Sequence, residues 1–284
     1  MKGDIMSAHT VAYCGIEGSF ASIAAEAILP DYKRVSYTSF KEAYQAVENG
    51  ECEMTVLPIE NSYAGEVGQV NDLLFAGNLF INGVYELKVS QCLLAVPGSR
   101  IEDIKMVMSH QQALDQCAEF ISAHKMSVMA CNNTAVAAKT AADKNDKTVG
   151  AIGSKKNAEL YGLEILAESI NESETNVTKF AVCSKDNMVI SAGEHDDFSS
   201  FILMFTVENG AGTLVKALEV LGKYGYSMRV IRSRPTKNEN WAYYFYTEVE
   251  GKISSENGEK MLKELDEVCT SLKVLGSYYP GLVI

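Results

Sequence analysis

Short apolar segments alternate with amphipathic stretches over the first two thirds of the chain. The apolar segments are four or five residues long, which is typical of buried strands, and helical patterns such as residues 111–124 and 134–144 follow most of them. This alternation predicts an α/β fold in which helices cover a mostly parallel sheet, and the number of units favours two lobes around a cleft. The predicted strands are residues 11–15, 34–37, 55–59, 105–109, 127–131 and 149–153.

A different pattern begins after residues 186–200. This segment contains Gly193, an acidic cluster and several small polar residues, so we interpret it as a linker. The chain beyond it predicts the order strand, helix, strand, strand, helix, strand, which is the βαββαβ order of a ferredoxin-like domain. The predicted elements are a strand at 201–207, a helix at 213–224, strands at 227–232 and 242–249, a helix at 256–272 and a strand at 274–279.

The formal net charge of −12 is confined to the first part of the chain. Residues 1–197 contain 15 Lys and Arg against 27 Asp and Glu, whereas residues 198–284 contain ten of each kind. This difference is a further indication of two units. Because an acidic chain repels a phosphate backbone, nucleic-acid binding is disfavoured.

The cysteines and the N-terminal residues indicate a cytoplasmic protein. Seven cysteines are scattered along the chain without a CxxC pair, which is typical of reduced thiols. The first 15 residues include Asp4 and lack the apolar core of a signal peptide. The longest apolar runs, such as residues 201–205, are too short to cross a bilayer, so we expect no membrane contact.

Polar side chains recur where the predicted strands end. Ligands of open parallel sheets bind beyond the carboxyl ends of the strands, where helix N-termini also favour anions. A single Ser, Thr or Asn there is more often an N-cap, but several sets at one edge predict a pocket of hydroxyls and amides for a small anion. The sets are Ser19 with Glu17 and Gly18, then Glu60-Asn61-Ser62, then Ser109-His110, and finally Asn132-Asn133-Thr134.

Patterns for a metal or a nucleotide do not accompany these residues. His110 and Cys117 share a helical face but lack a further ligand, so they do not predict a metal site. The glycine turn GIEGSF at residues 15–20 has neither the GxxxxGK[ST] nor the GxGxxG spacing. Glu60 is compatible with acid–base catalysis or with ordering neighbouring amides, and one carboxylate does not decide between them. We expect no cofactor and no metal.

Several sequence blocks resemble the prephenate dehydratase family. In the first part these are GIEGSFASIAAE (15–26), VLPIENSYAGEVGQVNDLL (56–74), SHQQALDQC (109–117), AIGSKKNAELYGLEILAESI (151–170) and NVTKF (176–180), the last similar to the signature N..TRF. In the second part GTLVKALEVL (212–221) and SRP (233–235) resemble the ligand loop and the ESRP motif of phenylalanine-sensing ACT domains. The resemblance runs in order over essentially the whole chain from Val11.

The resemblance implies a domain organisation and an activity. It implies a periplasmic-binding-protein-like catalytic domain at residues 8–187, a linker at 188–198 and an ACT domain at 199–284, without a preceding chorismate mutase segment. The implied reaction converts prephenate to phenylpyruvate in phenylalanine biosynthesis, with loss of water and carbon dioxide. Aromatisation supplies the driving force, so the reaction needs no metal or nucleotide.

Residue roles also follow from the resemblance. Thr178 would donate a hydrogen bond to the departing oxygen, although its residue type alone would indicate only a β-branched strand position. The implied substrate-binding residues are Ser19, Glu60, Asn61, Ser62, Ser109, His110, Gln112, Asn133, Thr134, Lys179 and Phe180. The implied effector-binding residues, for phenylalanine as an inhibitor, are Ala211, Gly212, Thr213, Leu214, Val215, Arg232, Ser233, Arg234 and Pro235.

The second domain is also expected to mediate assembly. A lone ferredoxin-like domain exposes edge strands, which are usually paired or covered, so we expect a dimer or, as the family implies, a homotetramer. The effector pocket would then lie at the interface between subunits. The carboxylate of an amino acid suits the free N–H groups that open the helix at Thr213.

Two departures from the family pattern and two alternatives affect this interpretation. Lys179 has the place of an arginine and lacks its bidentate fork, and Arg232 has the place of the glutamate of ESRP. One alternative is the same reaction on arogenate, the aminated substrate. The other is a two-lobed binding module with an amino-acid sensor and no catalysis.

Overall fold

The computed structural model describes residues 9–173, 175–188, 199–236 and 242–284. The elements before residue 90 belong to one lobe, in which strands and helices alternate as predicted before a long final strand. They are β1 (Thr10–Cys14), α1 (Phe20–Ile28), β2 (Lys33–Tyr37), α2 (Phe40–Glu48), β3 (Met54–Asn61), β4 (Gly65–Glu66), α3 (Gly68–Ala76) and β5 (Phe80–Lys88).

The following elements form a second lobe and then return to the first. They are β6 (Cys92–Ala95), a short 3-10 helix (Ile101–Asp103), β7 (Met106–His110), α4 (Gln111–Gln116), α5 (Ala118–Ala123), β8 (Ser127–Cys131), α6 (Thr134–Lys144), β9 (Val149–Gly153), α7 (Lys155–Tyr161), β10 (Glu164–Ala167) and the returning strand β11 (Val177–Ser184). The C-terminal part contains β12 (Ser200–Thr206), α8 (Thr213–Lys223), β13 (Ser227–Pro235), β14 (Tyr243–Glu250), α9 (Glu256–Val268), β15 (Ser271–Tyr278) and β16 (Leu282–Val283).

Each lobe is built on a mixed sheet. The first sheet has the order β16-β5-β11-β3-β1-β2 with β4 paired to β3, and the second has the order β10-β6-β9-β7-β8. β1 is parallel to β2 and β3, and β7 is parallel to β8 and β9, which confirms the predicted parallel units. The strands β5, β6, β10 and β11 are not among the predicted ones, and they form the antiparallel pairs of the two sheets.

The helix predicted at residues 111–124 is divided into α4 and α5 at Cys117. The backbone carbonyl of Gln116 accepts a hydrogen bond from the Glu172 N–H group at 2.9 Å, so residues 170–172 compete with the helical ladder at this point. Cys117 adopts φ −116° and ψ 19°. The break therefore comes from a tertiary contact with a distant segment, which the helical periodicity does not indicate.

The C-terminal domain has the predicted βαββαβ order, with its antiparallel strands arranged β13-β14-β12-β15. Phe201, Leu203 and Phe205 of β12 pack under α8 and α9. Ile202 and Met204, between them, pack on the core of the first lobe. Because both faces of this sheet are buried, β12 has a continuous apolar run instead of an alternating one.

The chain returns to the first lobe after the C-terminal domain. β16 pairs in parallel with β5, and the Ile284 N–H group donates to the carbonyl of Glu86 at 2.9 Å. The Ile284 side chain packs against the core cluster that contains Leu87 and Phe180. The predicted elements did not include this strand.

The predictions of a linker and of no membrane span are compared with the described residues only. All but the first residue of the predicted linker, residues 188–198, lies outside it, so the domain boundaries stay a prediction. Within the described residues, no helix combines the length and the apolar character needed to cross a membrane.

Gly276 provides a test of the contact between β15 and β5. A Cβ atom at Gly276, which has φ +143°, would collide with the backbone carbonyl of Ile81 on β5. Substitution Gly276→Ala should lower the free energy of unfolding by about 1–3 kcal/mol, because a rigid carbonyl cannot move aside. Urea denaturation measures this change. Gly222→Ala, in α8 with open space around it, is the control and should be neutral or stabilising by at most about 1 kcal/mol. Equal stability of both variants would contradict the close contact.

Candidate active site

A cleft of about 340 Å³ lies between the two lobes. The carboxyl ends of β1, β3, β7 and β8 reach it, as the strand-end pattern predicts, and β11 supplies one wall. The lining residues are Cys14, Gly15, Ser19, Phe20, Ala21, Thr38, Phe40, Pro58, Asn61, Val89, Gln91, His110, Gln112, Ala113, Gln116, Asn132, Asn133, Thr134, Asn176, Thr178 and Phe180.

The N-termini of two helices open at this cleft. Ser19 caps α1, its hydroxyl accepting from the Ser22 N–H group at 3.3 Å. Asn133 caps α6, its Oδ1 accepting from the Val136 N–H group at 2.8 Å. Each cap accepts from one N–H group of its helix and leaves the other N–H groups of the first turn without a partner in the helix. Each helix end therefore favours an anion.

A network of amides orients the Thr178 hydroxyl. Asn61 Oδ1 accepts from the backbone N–H groups of Tyr63 and Ala64 at 3.1 and 2.9 Å, which assigns the amide nitrogen to the other side. Asn61 Nδ2 then donates to Thr178 Oγ1 at 3.0 Å. The threonine oxygen is the acceptor in this contact, so its own proton is available to a group in the cleft.

The same network ends in an unpaired donor. Asn61 Nδ2 also donates to Asn176 Oδ1 at 2.8 Å, and Asn176 Nδ2 donates to Gln116 Oε1 at 2.9 Å. Gln116 Nε2 is buried and has no partner among the described residues, and the same is true of Gln91 Oε1. Both side chains line the cleft at 4% and 2% exposure, so a bound ligand or water would satisfy them.

The cleft is polar without being charged. Among the described residues that line it, none is Lys, Arg, Asp or Glu. Burial raises the pKa of the Cys14 thiol, and the Glu42 carboxylate raises it further, so this thiol is protonated near neutral pH and is a poor nucleophile. The described residues contain no group of three or more His, Cys, Asp or Glu side chains with the geometry of a metal site.

The structure brings most of the expected substrate residues together. Thr178 on β11 and Asn61 at the end of β3 face side chains of the second lobe across the cleft. The expected residues that line the cleft are Ser19, Asn61, His110, Gln112, Asn133, Thr134, Thr178 and Phe180.

Two other expected substrate residues have hydroxyls committed to the backbone. Ser62 donates to the Thr175 carbonyl at 2.8 Å and accepts from the Val177 N–H group at 2.9 Å, which joins β3 to the start of β11. Ser109 is fully buried in the second sheet and donates to the Ile152 carbonyl at 2.7 Å. Neither residue lines the cleft, and both hydroxyls connect segments of the backbone.

Glu60 and Lys179 lie on the opposite face of the first sheet. Side chains alternate along a strand, so Lys179 points away from the cleft that Thr178 and Phe180 line. A β-bulge in the pairing of β3 with β11 places Glu60 on that same far side, 3.2 Å from Lys179 Nζ. These two expected residues therefore face the C-terminal domain and not the cleft.

The expected effector residues also lie on two different faces of their sheet. A second cleft, of about 840 Å³, includes Thr213, Leu214 and Ser233 in its lining. Arg232 and Arg234, on the other face of β13, pair with carboxylates of the first lobe instead. The remaining expected residues are not part of this lining: Ala211, Gly212, Val215 and Pro235.

The buried amide residues Gln91, Gln116 and Asn176 line the cleft and were not in the expected set. Gln116 and Asn176 lie within the blocks SHQQALDQC and NVTKF. Their place in these blocks was the signal in the sequence that could have indicated them. Gln91 precedes the apolar strand β6, and its sequence context indicates no role.

Comparisons with known proteins identify the family of the chain. The family profile described as prephenate dehydratase matches residues 11–188. The chain belongs to the prephenate dehydratase family. It is 36% identical over 94% of its length to arogenate dehydratase/prephenate dehydratase 2 of Arabidopsis thaliana, covering 72% of that protein. It is 32% identical over 95% of its length to a bifunctional chorismate mutase/prephenate dehydratase of Enterobacter agglomerans, covering 70% of it. As a family member, the chain is a dehydratase.

Solved structures share the fold of this prephenate dehydratase family member. A prephenate dehydratase from Arthrobacter aurescens in complex with L-Phe superposes with a TM-score of 0.85, at 25% identity, covering 95% of this chain and 89% of that one. GqqA, described as a novel type of quorum-quenching acylase, superposes with a TM-score of 0.86, at 28% identity, covering 96% and 98%. The two-lobed fold with a C-terminal ferredoxin-like domain is therefore that of the family.

Gln91 offers a test of whether the cleft sacrifices stability for binding. A buried carbonyl oxygen without a partner costs about 1–3 kcal/mol, so Gln91→Met should leave the free energy of unfolding unchanged or raise it by about 1 kcal/mol. Asn82→Leu is the control, because Asn82 is equally buried and bonds to Ser184, Asp186 and Met188. In the control, chemical denaturation should show that the free energy of unfolding falls by about 2 kcal/mol. A comparable loss for Gln91→Met would mean that its amide is satisfied in the free protein.

Proposed function

We propose that the cleft catalyses the decarboxylating dehydration of prephenate to phenylpyruvate. The observation that carries the proposal is the orientation of the Thr178 hydroxyl, whose oxygen accepts from Asn61 and whose proton is left for a ligand. In this reaction the bond from the ring carbon to the departing oxygen breaks. The bond to one carboxylate also breaks, releasing carbon dioxide, and its electron pair completes the aromatic ring.

Thr178 acts in this scheme as a hydrogen-bond donor and not as a full acid. A threonine hydroxyl does not ionise near neutral pH, but its hydrogen bond strengthens as negative charge develops on the departing oxygen, which takes up a proton from water. The amide of Asn61 supports this, because a donor to Thr178 Oγ1 polarises the hydroxyl towards donation. The described cleft offers no carboxylate that would serve as an acid instead.

The two carboxylates of prephenate require positive potential, and helix N-termini provide it. The first turns of α1 and α6 open into the cleft from opposite lobes. Each helix end has a partial positive charge of about half an elementary charge, which favours an anion close to it. We propose that substrate carboxylates bind at these two ends.

Arogenate is the second candidate substrate. Plant relatives at 34–36% identity are named arogenate dehydratases or arogenate dehydratase/prephenate dehydratases. The cleft also has a free acceptor, Gln91 Oε1, and a free donor, Gln116 Nε2, which suit an ammonium group and a keto oxygen respectively. Turnover of the two substrates by the purified protein, measured side by side, decides between them.

An acylase activity, as described for GqqA, has less support in this cleft. Acyl transfer needs an activated nucleophile with a neighbouring base. Thr178 Oγ1 is bonded to an amide, which cannot take its proton, and the Cys14 thiol has a raised pKa. These contacts favour the dehydratase.

Thr178 is the residue whose change tests the mechanism. Thr178→Val retains the shape and removes the donor, so kcat for prephenate should fall by roughly 10²–10³, while Thr178→Ser should retain more activity. Phenylpyruvate formation, followed by ultraviolet absorbance in base, measures the rate. Thr140→Val, in α6 and outside the cleft, is the matched control and should behave as wild type. A folded Thr178→Val protein within threefold of the wild-type rate would exclude the assigned role.

We also propose that the C-terminal domain is an ACT domain that binds phenylalanine as a feedback inhibitor and joins subunits into a tetramer. The second cleft contains the first turn of α8, whose N–H groups suit a carboxylate, beside the aromatic ring of Phe245. The edge strand β13 exposes Ile231, and Tyr243 on the neighbouring strand is also exposed, at 41% and 43%. Apolar exposure beside an unpaired edge supports contact with another subunit.

Calorimetry with L-phenylalanine tests the regulatory site. Gly212 has φ +83° and precedes α8, a conformation that aspartate tolerates better than most residues. Gly212→Asp should weaken phenylalanine binding at least tenfold and relieve inhibition, because its carboxylate competes for the helix N-terminus. Gly222→Ala, at the other end of α8, should bind as wild type. Equal binding heats for Gly212→Asp and wild type would place the effector site elsewhere.

A further inference from the structure

The paired strands β3 and β11 carry different chemistry on their two faces. Thr178 is opposite Asn61 in the register, and the next pair is Lys179 opposite Glu60. On the cleft side Asn61 donates to Thr178 Oγ1 at 3.0 Å, and on the far side Lys179 Nζ lies 3.2 Å from Glu60 Oε2. The hydrogen bond and the ion pair are therefore formed by adjacent residues of the same two strands.

The C-terminal domain supplies a second partner for each of these charges. Arg232 of β13 pairs with Glu60, and Glu248 of β14 lies 3.4 Å from Lys179 Nζ. Two positive and two negative side chains thus form one cluster, which we call the interdomain ion cluster: Glu60, Lys179, Arg232 and Glu248.

Glu248 anchors the interdomain ion cluster inside the protein. It is 1% exposed and accepts hydrogen bonds from Tyr246 at 2.9 Å and Tyr278 at 3.0 Å. Burial and the Glu248 charge raise the pKa of both tyrosines, so both hydroxyls stay donors. A buried carboxylate with satisfied oxygens has little freedom to move, and removal of one partner leaves an uncompensated charge. Lys179 is consequently held from the side of the C-terminal domain.

We propose that Glu60 and Lys179 are positioning residues for the Asn61–Thr178 pair, and that the C-terminal domain acts on the cleft through the interdomain ion cluster. The inference rests on the proposed function, because it assigns a role relative to the Thr178 hydroxyl. Adjacent residues of a strand share a peptide plane, so a displacement of Lys179 or Glu60 turns the backbone that carries Thr178 or Asn61. Misplacement of a catalytic group by about 1 Å can cost up to about 10²-fold in rate.

A neighbouring ion cluster provides a structural comparison. Arg234, two residues beyond Arg232 on the same face of β13, pairs with Asp72 and Glu66 of the first lobe. Asp72 belongs to α3, and Glu66 belongs to β4, where it is opposite Glu60 in the register. Neither carboxylate is adjacent to Asn61 or Thr178 in the sequence, and neither bonds to their side chains. Loss of Arg234 should therefore weaken the domain contact without the same effect on the cleft, which separates attachment from positioning.

The test compares kcat and KM for prephenate, or for arogenate if that is the substrate, across five single variants. Lys179→Met, Glu60→Gln and Arg232→Met should each lower kcat by about tenfold and change KM by less than about threefold. Lys179→Arg keeps the charge and should recover most of the rate. Lys223→Met is the control, since Lys223 of α8 pairs with Glu264 of α9 within the C-terminal domain, and its kcat should equal that of wild type.

The double variant Glu60→Gln/Arg232→Met distinguishes coupling from independent damage. If the two residues act as one unit, the double variant should lose no more rate than the larger single loss. Arg234→Met should lower the urea midpoint while retaining kcat.

Three results would overturn the inference. They are wild-type kcat in all three charge-removing variants, losses confined to KM, or an equal loss of kcat in Arg234→Met. A wild-type protein that turns over neither substrate would instead refute the proposed function. If Lys179→Met does not fold, the partly exposed Arg232 and Glu60 still decide the outcome.

Discussion

The register of β11 between β3 and β5 is the constraint on which both the cleft and the domain contact depend. Every residue of β11 from Val177 to Ser184 has a partner on β5, and Thr178 to Ser184 also pair with β3. Because side chains alternate between the two faces of a strand, Thr178 and Phe180 then face the cleft and Lys179 faces the C-terminal domain. A slip by one residue would exchange the two sets. Chemistry and interdomain contact are therefore specified together.

Formal charges and dipoles have separate places in this protein. The described cleft lining is uncharged, and its affinity for anions comes from helix ends and oriented amides. The charged residues near the catalytic strands are on the reverse face, where Glu60 and Lys179 neutralise each other and their partners. The hydrogen bonds that fix the Asn61 amide hold its dipole in place, so little reorganisation accompanies the development of charge on a departing group.

Sequence reasoning located the cleft because strand ends can be predicted from apolar runs followed by polar residues. Asn61, His110 and Asn133 come from three different strands, and the rule for parallel sheets is sufficient to bring them together. The same reasoning misplaced Glu60 and Lys179, because a linear motif does not state which face a residue takes, and a β-bulge alters the alternation in β3.

Other features depended on contacts that no local pattern records. The Ser109 hydroxyl turns back to the carbonyl of Ile152, and the break at Cys117 depends on Glu172. The run at residues 201–205 predicted a strand correctly, but its second partner, the first lobe, follows only from the assembled domains. The amide relay from Asn61 to Gln116 combines residues from three separate segments, so neither spacing nor propensity could have indicated it.

The first sheet combines strands from distant parts of the chain, and this has a consequence for the order of folding. Its strands come from residues 10–88, from β11 and from β16, which lies nearly 200 residues beyond β5 in the chain. Sheets that depend on such distant pairings have a high contact order and fold slowly, since the loop-closure entropy is lost before the pairing stabilises the sheet. Until β16 arrives, β5 is an edge strand with unpaired backbone groups, and it can pair with another chain. The first lobe therefore reaches its protected form only after the C-terminal domain has docked, and partly folded chains have a defined site for aggregation.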